Sequence, residues 1–221
     1  MGERAAKDAL FAEFAEVGKA LASPKRLELL DLLAQGPRSV EDLATTAELA
    51  IGTCSAHLQV LREAGLVSTR REGRRVFYSL GGDDVAALSE RLRQVAQRHR
   101  PATEPARRAY LGPDDTTTVG TEELLRLVRA GDAVVVDVRP AVEFDAGHLP
   151  GARNIPLDEL AERIAELPGD REVVAYCRGQ YCVFAHDAVR LLTAHGLRAR
   201  RATDGILEWR AAGVPVEPGA A

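Results

Sequence analysis

Residues 175–189 read AYCRGQYCVFAHDAV and join an apolar run to a segment with helical periodicity. The run before the loop, EVVAYC, is continuous, apolar and rich in β-branched residues, which is typical of a strand buried on both faces. Two of the chain's three cysteines, Cys177 and Cys182, lie in the loop that follows. The stretch therefore predicts a buried strand, a tight loop with two thiols, and a helix that begins near Val183.

Strands and helices alternate on both sides of this stretch. AVVVDV at 133–138 is a second continuous apolar run, and RARRAT at 198–203 predicts a further strand. The intervening helices are expected at 121–130, 157–167, 184–196 and 206–213. Because strands that alternate with helices form parallel sheets, this half of the chain is expected to be an α/β domain with a central parallel sheet.

The position of the loop suggests its chemistry. Ligands of open α/β sheets bind at the carboxyl ends of the strands. A tight loop at a helix N-terminus also turns backbone N–H groups inward and adds the positive end of the helix dipole, which stabilises an anion. Such a setting lowers the pKa of a thiol, and Arg178 would add to the effect if it turned inward. The loop therefore predicts a nucleophilic Cys177 beside an oxyanion seat.

This loop, FDAGHLPGARNIP at 144–156 and DGILEW at 204–209 together resemble the rhodanese domain. The resemblance implies a sulfurtransferase of the thiosulfate type, in which the catalytic Cys177 takes sulfane sulfur from thiosulfate or a persulfide and passes it to a nucleophile. It also implies a donor-binding loop made of Arg178, Gly179, Gln180, Tyr181, Cys182 and Val183, and structural roles for Asp137, Arg139, Glu143 and His148.

The same fold hosts phosphatases and arsenate reductases, whose longer loop needs an arginine where this chain has Val183. A phosphoryl group would lack its fork of donors here, so the sequence favours sulfur chemistry. Cys182 leaves two alternatives open. In the first, Cys182 is a resolving thiol that attacks a persulfide on Cys177 and releases sulfide. In the second, it simply packs at the start of the helix.

The first half of the chain has a different pattern. Apolar residues at helical spacing predict helices at 10–22, 23–36, 40–48 and 53–64, with a cap at Ser23 and a stop at Gly36. The last two predicted helices, separated by a short turn, suggest a helix-turn-helix. GLVSTRREGRRVFYSL then predicts a hairpin with a glycine in its turn, so this half is expected to be a mainly α winged helix-turn-helix domain.

Basic and polar side chains mark the surface expected to bind DNA. The exposed face of the helix predicted at 53–64 should contact base edges or phosphates of DNA. The wing carries arginines that can neutralise phosphates. The alternative is that the charged turn of the hairpin is simply solvated and does not contact DNA. The residues predicted to contact DNA are Thr53, Ser55, Ala56, Gln59, Arg62, Arg70, Arg71, Arg74 and Arg75.

The run from LASPKRLELLDLLAQG through HLQVLREAGLVSTRREGRRVFYSL resembles the ArsR/SmtB family of winged-helix repressors. The resemblance implies a homodimer on a palindromic double-stranded DNA operator. On the residues alone, Val85, Leu88, Leu92 and Val95 form a seam that either needs a partner or packs within the monomer.

The metal-binding patterns of that family are missing here. SVEDLATTAEL has no cysteine, and the last helix of this half has His99 without a second histidine. Three or four converging ligands are needed for a metal, so we expect neither a metal site nor another cofactor. Cys54 lies on the inward face of its helix, and we interpret it as a core residue rather than a sensor beside DNA.

Composition sets the remaining expectations. The 221 residues include 46% hydrophobic and 28% charged residues, enough apolar material for a core in each of two domains. We expect a winged-helix domain at 1–99, a linker at 100–117 that contains a short helix, and a rhodanese-like domain at 118–221. With no signal core, no apolar stretch of membrane-spanning length and only three cysteines, the chain is expected in the cytoplasm, without a membrane partner.

The fusion suggests a regulator of transcription, a repressor, that senses or transfers sulfane sulfur through a Cys177 persulfide. Two alternatives stay open at this point. In the first, the chain is primarily a thiosulfate or persulfide sulfurtransferase, and its DNA-binding half is not coupled to the sulfur transfer. In the second, the rhodanese-like half binds oxyanions without turnover.

Overall fold

The computed structural model describes residues 2–219. The chain forms two compact units that divide between residues 96 and 97. Within residues 2–219, no helix combines the length and the apolar character that a membrane span requires. The predicted fold class is confirmed, because a winged helix is followed by an α/β unit with a central parallel sheet.

The first unit contains five helices and a small antiparallel sheet. The helices are α1 (Gly2–Leu21), α2 (Pro24–Gln35), α3 (Val40–Thr46), α4 (Ile51–Glu63) and α5 (Asp83–His99). The strands are β1 (Arg38–Ser39), β2 (Val67–Glu72) and β3 (Arg75–Leu80), in the order β1-β3-β2. The predicted order of elements is therefore present, with α1 longer than the 10–22 expected.

Leucines from three helices fill the core of this unit. Leu29 and Leu30 of α2 pack with Leu43 of α3 and with Leu58 and Leu61 of α4. Each of these leucines is at most 1% exposed, so burial of apolar surface stabilises the packing of α3 and α4 against α2. The 3.6-residue spacing that predicted these helices thus matches the faces that the structure buries.

Two local details shape the helix starts and the wing. Ser23 occupies the predicted N-cap of α2, but its side chain makes no capping hydrogen bond. Ser39 caps α3 instead, accepting a hydrogen bond from the backbone N–H of Asp42 at 3.2 Å. Gly73, at φ 58°, provides the left-handed residue that lets β2 turn directly into β3, as the hairpin pattern predicts.

The second unit is built on a five-stranded sheet whose strands all pair in parallel, in the order β4-β8-β7-β5-β6. The strands are β4 (Thr118–Val119), β5 (Ala133–Asp137), β6 (Arg153–Asn154), β7 (Glu172–Tyr176) and β8 (Ala199–Ala202). The helices are α6 (Thr103–Leu111), α7 (Thr121–Ala130), α8 (Ala141–Ala146), α9 (Leu160–Arg163), α10 (Val183–Ala194) and α11 (Ile206–Ala211).

Both faces of this sheet are covered, which explains the continuous apolar strands. Val173 and Ala175 of β7 pack into the core that includes α10, whereas Val174 and Tyr176 pack against α7 and α11 on the opposite face. Alternate residues of β5 divide in the same way. Because β7 lies in the middle of the sheet, the loop after it leaves from the centre of the fold.

The structure differs from the sequence prediction in short elements. The helix expected at 157–167 is confined to α9 and a 3-10 turn at Ile164–Glu166, since a turn closed by the Glu159 N–H to Pro156 O hydrogen bond of 2.9 Å precedes it. The elements β4, β6 and α8 span six residues or fewer, too short for a periodic signal.

The segment expected as a linker, 100–117, contains the whole of α6. Leu111 at the end of α6 is 2% exposed, and Asp115 accepts a 3.0 Å hydrogen bond from Arg190 of α10. This part of the segment is thus attached to the second unit. Where the functional domains begin and end stays a prediction.

Candidate functional site

The loop of the two cysteines runs from the end of β7 to the start of α10. Cys177 follows the strand directly and is 2% exposed, and Cys182 is the N-cap residue of α10. The structure joins the two cysteines as a disulfide, with their Cα atoms 6.3 Å apart. That separation lies within the range of ordinary protein disulfides, so the loop brings both thiols to one place.

Glycines make the loop's tight path feasible. The Cys182 N–H donates to the carbonyl of Gly179 at 3.1 Å, which closes the loop on itself, and Gly179 has a φ of 146°. A Cβ on Gly205 would collide with the backbone of Arg178 and Gly179, so the turn before α11 lies directly against the loop. The 204–209 motif therefore supports the loop through backbone contact.

Glu208 secures that turn. Its carboxylate accepts a 2.9 Å hydrogen bond from the backbone N–H of Gly205, the N-cap residue of α11, and it lies close to Gly179. Sequence reasoning missed this role, although a glutamate three positions after the glycine that precedes a helix is a recognisable signal for a carboxylate that accepts from the N-cap N–H.

Arg178 is held by a buried acid. Its Nε donates to Glu143 of α8 at 3.0 Å, the Glu143 side chain is 1% exposed, and the guanidinium lies 5.3 Å from the centroid of the Phe184 ring. The arginine therefore does not add uncompensated positive charge to the loop. A thiolate or bound anion must be stabilised chiefly by backbone N–H groups and by the N-terminus of α10.

Asp137 and Arg139 form a second buried pair behind the loop. Both side chains are 0% exposed, and the Arg139 Nε donates to the Asp137 carboxylate at 2.9 Å. Arg139 also donates to the carbonyl of Gly147 at 2.8 Å, and Asn154 donates to the carbonyl of Arg139 at 2.9 Å. The pair thereby fastens both ends of the 144–156 motif to β5.

The remaining residues of this region differ in exposure. Gln180 is exposed at the tip of the loop, while Tyr181 and Val183 are half-buried. His148 stacks on Phe144 with ring centroids 3.6 Å apart, and its Nδ1 lies 3.0 Å from the Phe144 carbonyl oxygen. This histidine contributes to packing within its own motif.

The predicted DNA-binding residues lie on exposed surfaces of the first unit. On α4 the side chains of Cys54, Leu58 and Leu61 are buried, and the opposite face is open to solvent. On the wing, Arg70 pairs with Glu72 at 2.8 Å. The exposed residues of the two surfaces are Thr53, Ser55, Ala56, Gln59, Arg62, Arg70, Arg71, Arg74 and Arg75.

Cys54 lies in the core, as expected. Its side chain is 0% exposed, and burial raises the pKa of its thiol to about 11 from an ordinary value of 9.0. A neutral buried thiol is a poor nucleophile and a poor metal ligand. Among residues 2–219, no group of three or more His, Cys, Asp or Glu side chains is placed to hold a metal ion.

Fold and site together define a winged helix-turn-helix protein joined to a rhodanese-like unit with a cysteine loop. Residues 23–69 match the bacterial regulatory protein arsR family, and residues 120–212 match the rhodanese-like domain. An HTH-type transcriptional regulator of Mycobacterium tuberculosis, Rv0324, is 51% identical over 220 residues, which cover 99% of this chain and 96% of the relative. The chain belongs to the ArsR family of bacterial transcriptional regulators, with a rhodanese-like domain in the same chain.

Further relatives match one half each. A protein of Allochromatium vinosum named sulfurtransferase is 32% identical over 91 residues, which cover 41% of this chain and 84% of the relative. A solved structure of a homodimeric winged helix-turn-helix DNA-binding domain from Mycobacterium bovis is 49% identical to the matched part of this chain. The match covers 43% of this chain and 89% of the M. bovis domain, with a TM-score of 0.41. Both family resemblances predicted from the sequence are confirmed by the family matches.

The buried pair at the loop generates a stability prediction. Glu143→Gln leaves the Arg178 guanidinium without its carboxylate, so the free energy of unfolding should fall by about 3 kcal/mol. Urea unfolding followed by the fluorescence of the single tryptophan, Trp209, measures this change. Glu159→Gln, which removes an exposed partner of Arg163, is the matched control and should cost less than about 1 kcal/mol. Equal costs for the two variants would contradict the importance of the buried pair.

The thiol of Cys54 generates a pH prediction. Because its pKa is about 11 in the folded chain and near 9.0 when unfolded, the neutral form favours folding. The contribution is complete below pH 9 and is lost as the pH rises through 11, a decrease of about 2 to 3 kcal/mol. Urea unfolding at pH 7.5 and pH 11 should show this decrease in the wild type. In Cys54→Ala the decrease should be smaller by that amount, and equal decreases would contradict the assignment.

Proposed function

We propose that this chain is a homodimeric repressor that binds a double-stranded DNA operator and responds to sulfane sulfur accepted by Cys177. The observation that carries the proposal is the placement of Cys177 and Cys182 within bonding distance on one loop of a chain whose other unit is a winged helix. The sulfur donor is proposed to be thiosulfate or a persulfide.

The DNA-binding part of the proposal is supported by shape and charge. The exposed face of α4 fits the major groove, with Gln59 and Arg62 at base edges or phosphates. The wing tip carries Arg74 and Arg75, for which no carboxylate within ion-pairing distance is found among residues 2–219. Their charges are thus available for phosphates, and the regulator name of the M. tuberculosis relative agrees with this role.

Uncovered apolar side chains support the homodimer. On α5, Leu88, Leu92 and Val95 are 40%, 37% and 48% exposed, although they repeat on one helix face. On α1, Phe11 and Phe14 are 58% and 59% exposed. Large apolar stripes of this kind mark protein interfaces, and a two-fold dimer would present two recognition helices to a palindromic operator.

The sulfur chemistry proposed for the loop has two steps. The Cys177 thiolate attacks the sulfane sulfur of thiosulfate, which forms the Cys177 persulfide and releases sulfite. Cys182 then attacks the inner sulfur of that persulfide, so that the disulfide forms and the outer sulfur leaves as hydrosulfide with the proton of Cys182. Two thiols are oxidised and one sulfane sulfur is reduced, and cellular thiols would return the loop to the reduced state.

The A. vinosum relative favours a second candidate of another class. Its name, sulfurtransferase, suggests that the rhodanese-like domain of this chain turns over sulfur donors as an enzyme. In that case Cys177 would pass its sulfur to an external nucleophile, and operator binding would be independent of the loop. Operator affinity measured before and after sulfur transfer to Cys177 separates this activity from a sensor.

The dimer is tested by charge insertion. Leu92→Glu should place a carboxylate in the apolar stripe, because the side chain is 37% exposed on the face that the partner would cover. We expect the variant to be monomeric in light scattering at micromolar concentration and to bind operator DNA at least about tenfold more weakly. Gln94→Glu, on the opposite face of α5, should remain dimeric. A wild-type monomer would refute the dimer proposal.

The sensor is tested on reduced protein incubated with thiosulfate or polysulfide. Mass mapping should show one added sulfur atom on Cys177 or a disulfide to Cys182, and operator affinity should fall at least about tenfold. In Cys177→Ser neither change should occur. In Cys182→Ser the persulfide should accumulate, since the proposed resolving thiol is missing.

Other outcomes identify the alternatives. Sulfur transfer at Cys177 with unchanged operator affinity would mean a sulfurtransferase uncoupled from DNA binding. If neither transfer nor a change of affinity occurs while thiosulfate or arsenate binds tightly, the rhodanese-like domain is an oxyanion-binding module without turnover.

A further inference from the structure

Buried polar atoms without hydrogen-bond partners gather on the α10 side of the second unit. Within residues 2–219, no partner is found for either ring nitrogen of His186, for the Nε of Arg201 or for the Oγ1 of Thr116. Native proteins satisfy nearly all such atoms with protein, water or ligand. Their concentration in one region leaves several donors and acceptors that water or a small polar ligand would satisfy.

Three neighbouring elements contribute these atoms. Arg201 lies on β8 opposite Thr118 of β4, and its backbone N–H donates to the carbonyl of Thr117 at 2.9 Å, so Thr116 is the residue next to this hydrogen-bonded partner in the chain. The side chain of Arg201 alternates to the same sheet face as Ala199, which packs into the core that includes α10. His186, in the first turn of α10 and 2% exposed, lies close enough to Arg201 to interact with its charge.

Arg201 differs from the adjacent arginine in its charge balance. Arg200, on the opposite face of β8, forms ion pairs with Glu172 at 2.6 Å and with Glu123 at 2.9 Å. For Arg201 no carboxylate within ion-pairing distance is found among residues 2–219. Burial lowers its pKa, because the charge has lost water without gaining a close counter-charge.

The other charged groups near this cluster are engaged mainly with one another. Arg190 binds Asp115 and Asp187, both at 3.0 Å, and Arg107 binds Glu104 at 2.8 Å. The negative charge of Asp114 interacts with both His186 and Arg201 and favours their protonated forms, but the Asp114 side chain is exposed to solvent. The buried polar atoms of the cluster thus belong to the fully buried imidazole of His186 and to the half-buried Arg201 and Thr116. The Arg201 guanidinium also donates from Nη1 to the carbonyl of Ala202 at 3.4 Å, which leaves its Nε for another acceptor.

We propose that His186, Arg201 and Thr116 form a site for a small inorganic oxyanion of sulfur or phosphorus. The guanidinium and the hydroxyl donate hydrogen bonds to its oxygens, and the imidazole donates one more from whichever ring nitrogen is protonated. Burial and the two nearby arginine charges lower the pKa of His186, so it acts as a neutral donor. The site is separate from the cysteine loop and does not depend on sulfur transfer by Cys177.

Calorimetric titration of the full-length protein tests the site. Sulfite, sulfate, thiosulfate and phosphate are titrated separately into the reduced Cys177→Ser variant, which cannot accept sulfur at that position, with chloride as the reference salt. We expect at least one oxyanion to bind, and Arg201→Gln or His186→Phe to weaken it at least about tenfold. Arg200→Gln is the matched control, since it removes the same charge from the opposite face of β8 and should change affinity less than about threefold.

A substitution in the cluster could unfold the protein, so a second measurement uses the unsubstituted cluster. It follows the NMR signals of the His186 ring nitrogens. In protein with labelled histidines, the His186 ring signals should shift on addition of the oxyanion that binds and not on addition of chloride. The absence of oxyanion binding, equal weakening by Arg200→Gln, or ring signals that ignore every anion would each overturn the proposal. Ring signals that do not respond would instead indicate bound water.

Discussion

The pairing of the buried carboxylate of Glu143 with Arg178, the arginine that follows Cys177, is the constraint on which the loop depends. Glu143 is 1% exposed, so its charge could not remain in the interior without Arg178. The pair ties α8 to the cysteine loop, while the buried Asp137 and Arg139 pair ties the adjacent motif to β5. Two interior ion pairs thus fix the segments that surround Cys177.

This arrangement also determines what the loop can bind. Because Arg178 is neutralised by Glu143, the positive potential at the loop comes from backbone N–H groups and from the N-terminus of the twelve-residue α10. That potential suits a thiolate or a compact anion with a small charge. It does not replace the bidentate arginine that a phosphoryl group requires where this chain has Val183, which agrees with the sulfur chemistry proposed for the cysteine loop.

Much of this could be predicted from the sequence, for identifiable physical reasons. The strand at 133–138 and the helix at 184–196 are long, regular and apolar, so their periodicity is a strong signal. The strands β4 and β6, with two residues each, are stabilised by pairing to distant strands and have no local pattern. The partner of Arg178 was equally inaccessible, since an arginine with several acids in the chain has no local signal for which one it meets.

The three cysteines are all buried, but their local backbone surroundings differ. Cys54 is surrounded by apolar side chains, and burial raises the pKa of its thiol to about 11, which keeps it protonated and unreactive. Cys177 and Cys182 are also poorly exposed, but they lie at a strand end and at a helix N-terminus, where backbone dipoles favour negative charge. Low exposure alone therefore does not make a cysteine inert. The orientation of the surrounding backbone thus distinguishes Cys54, which packs in the winged helix, from the two thiols of the rhodanese-like unit, to which we assign the proposed sulfur chemistry.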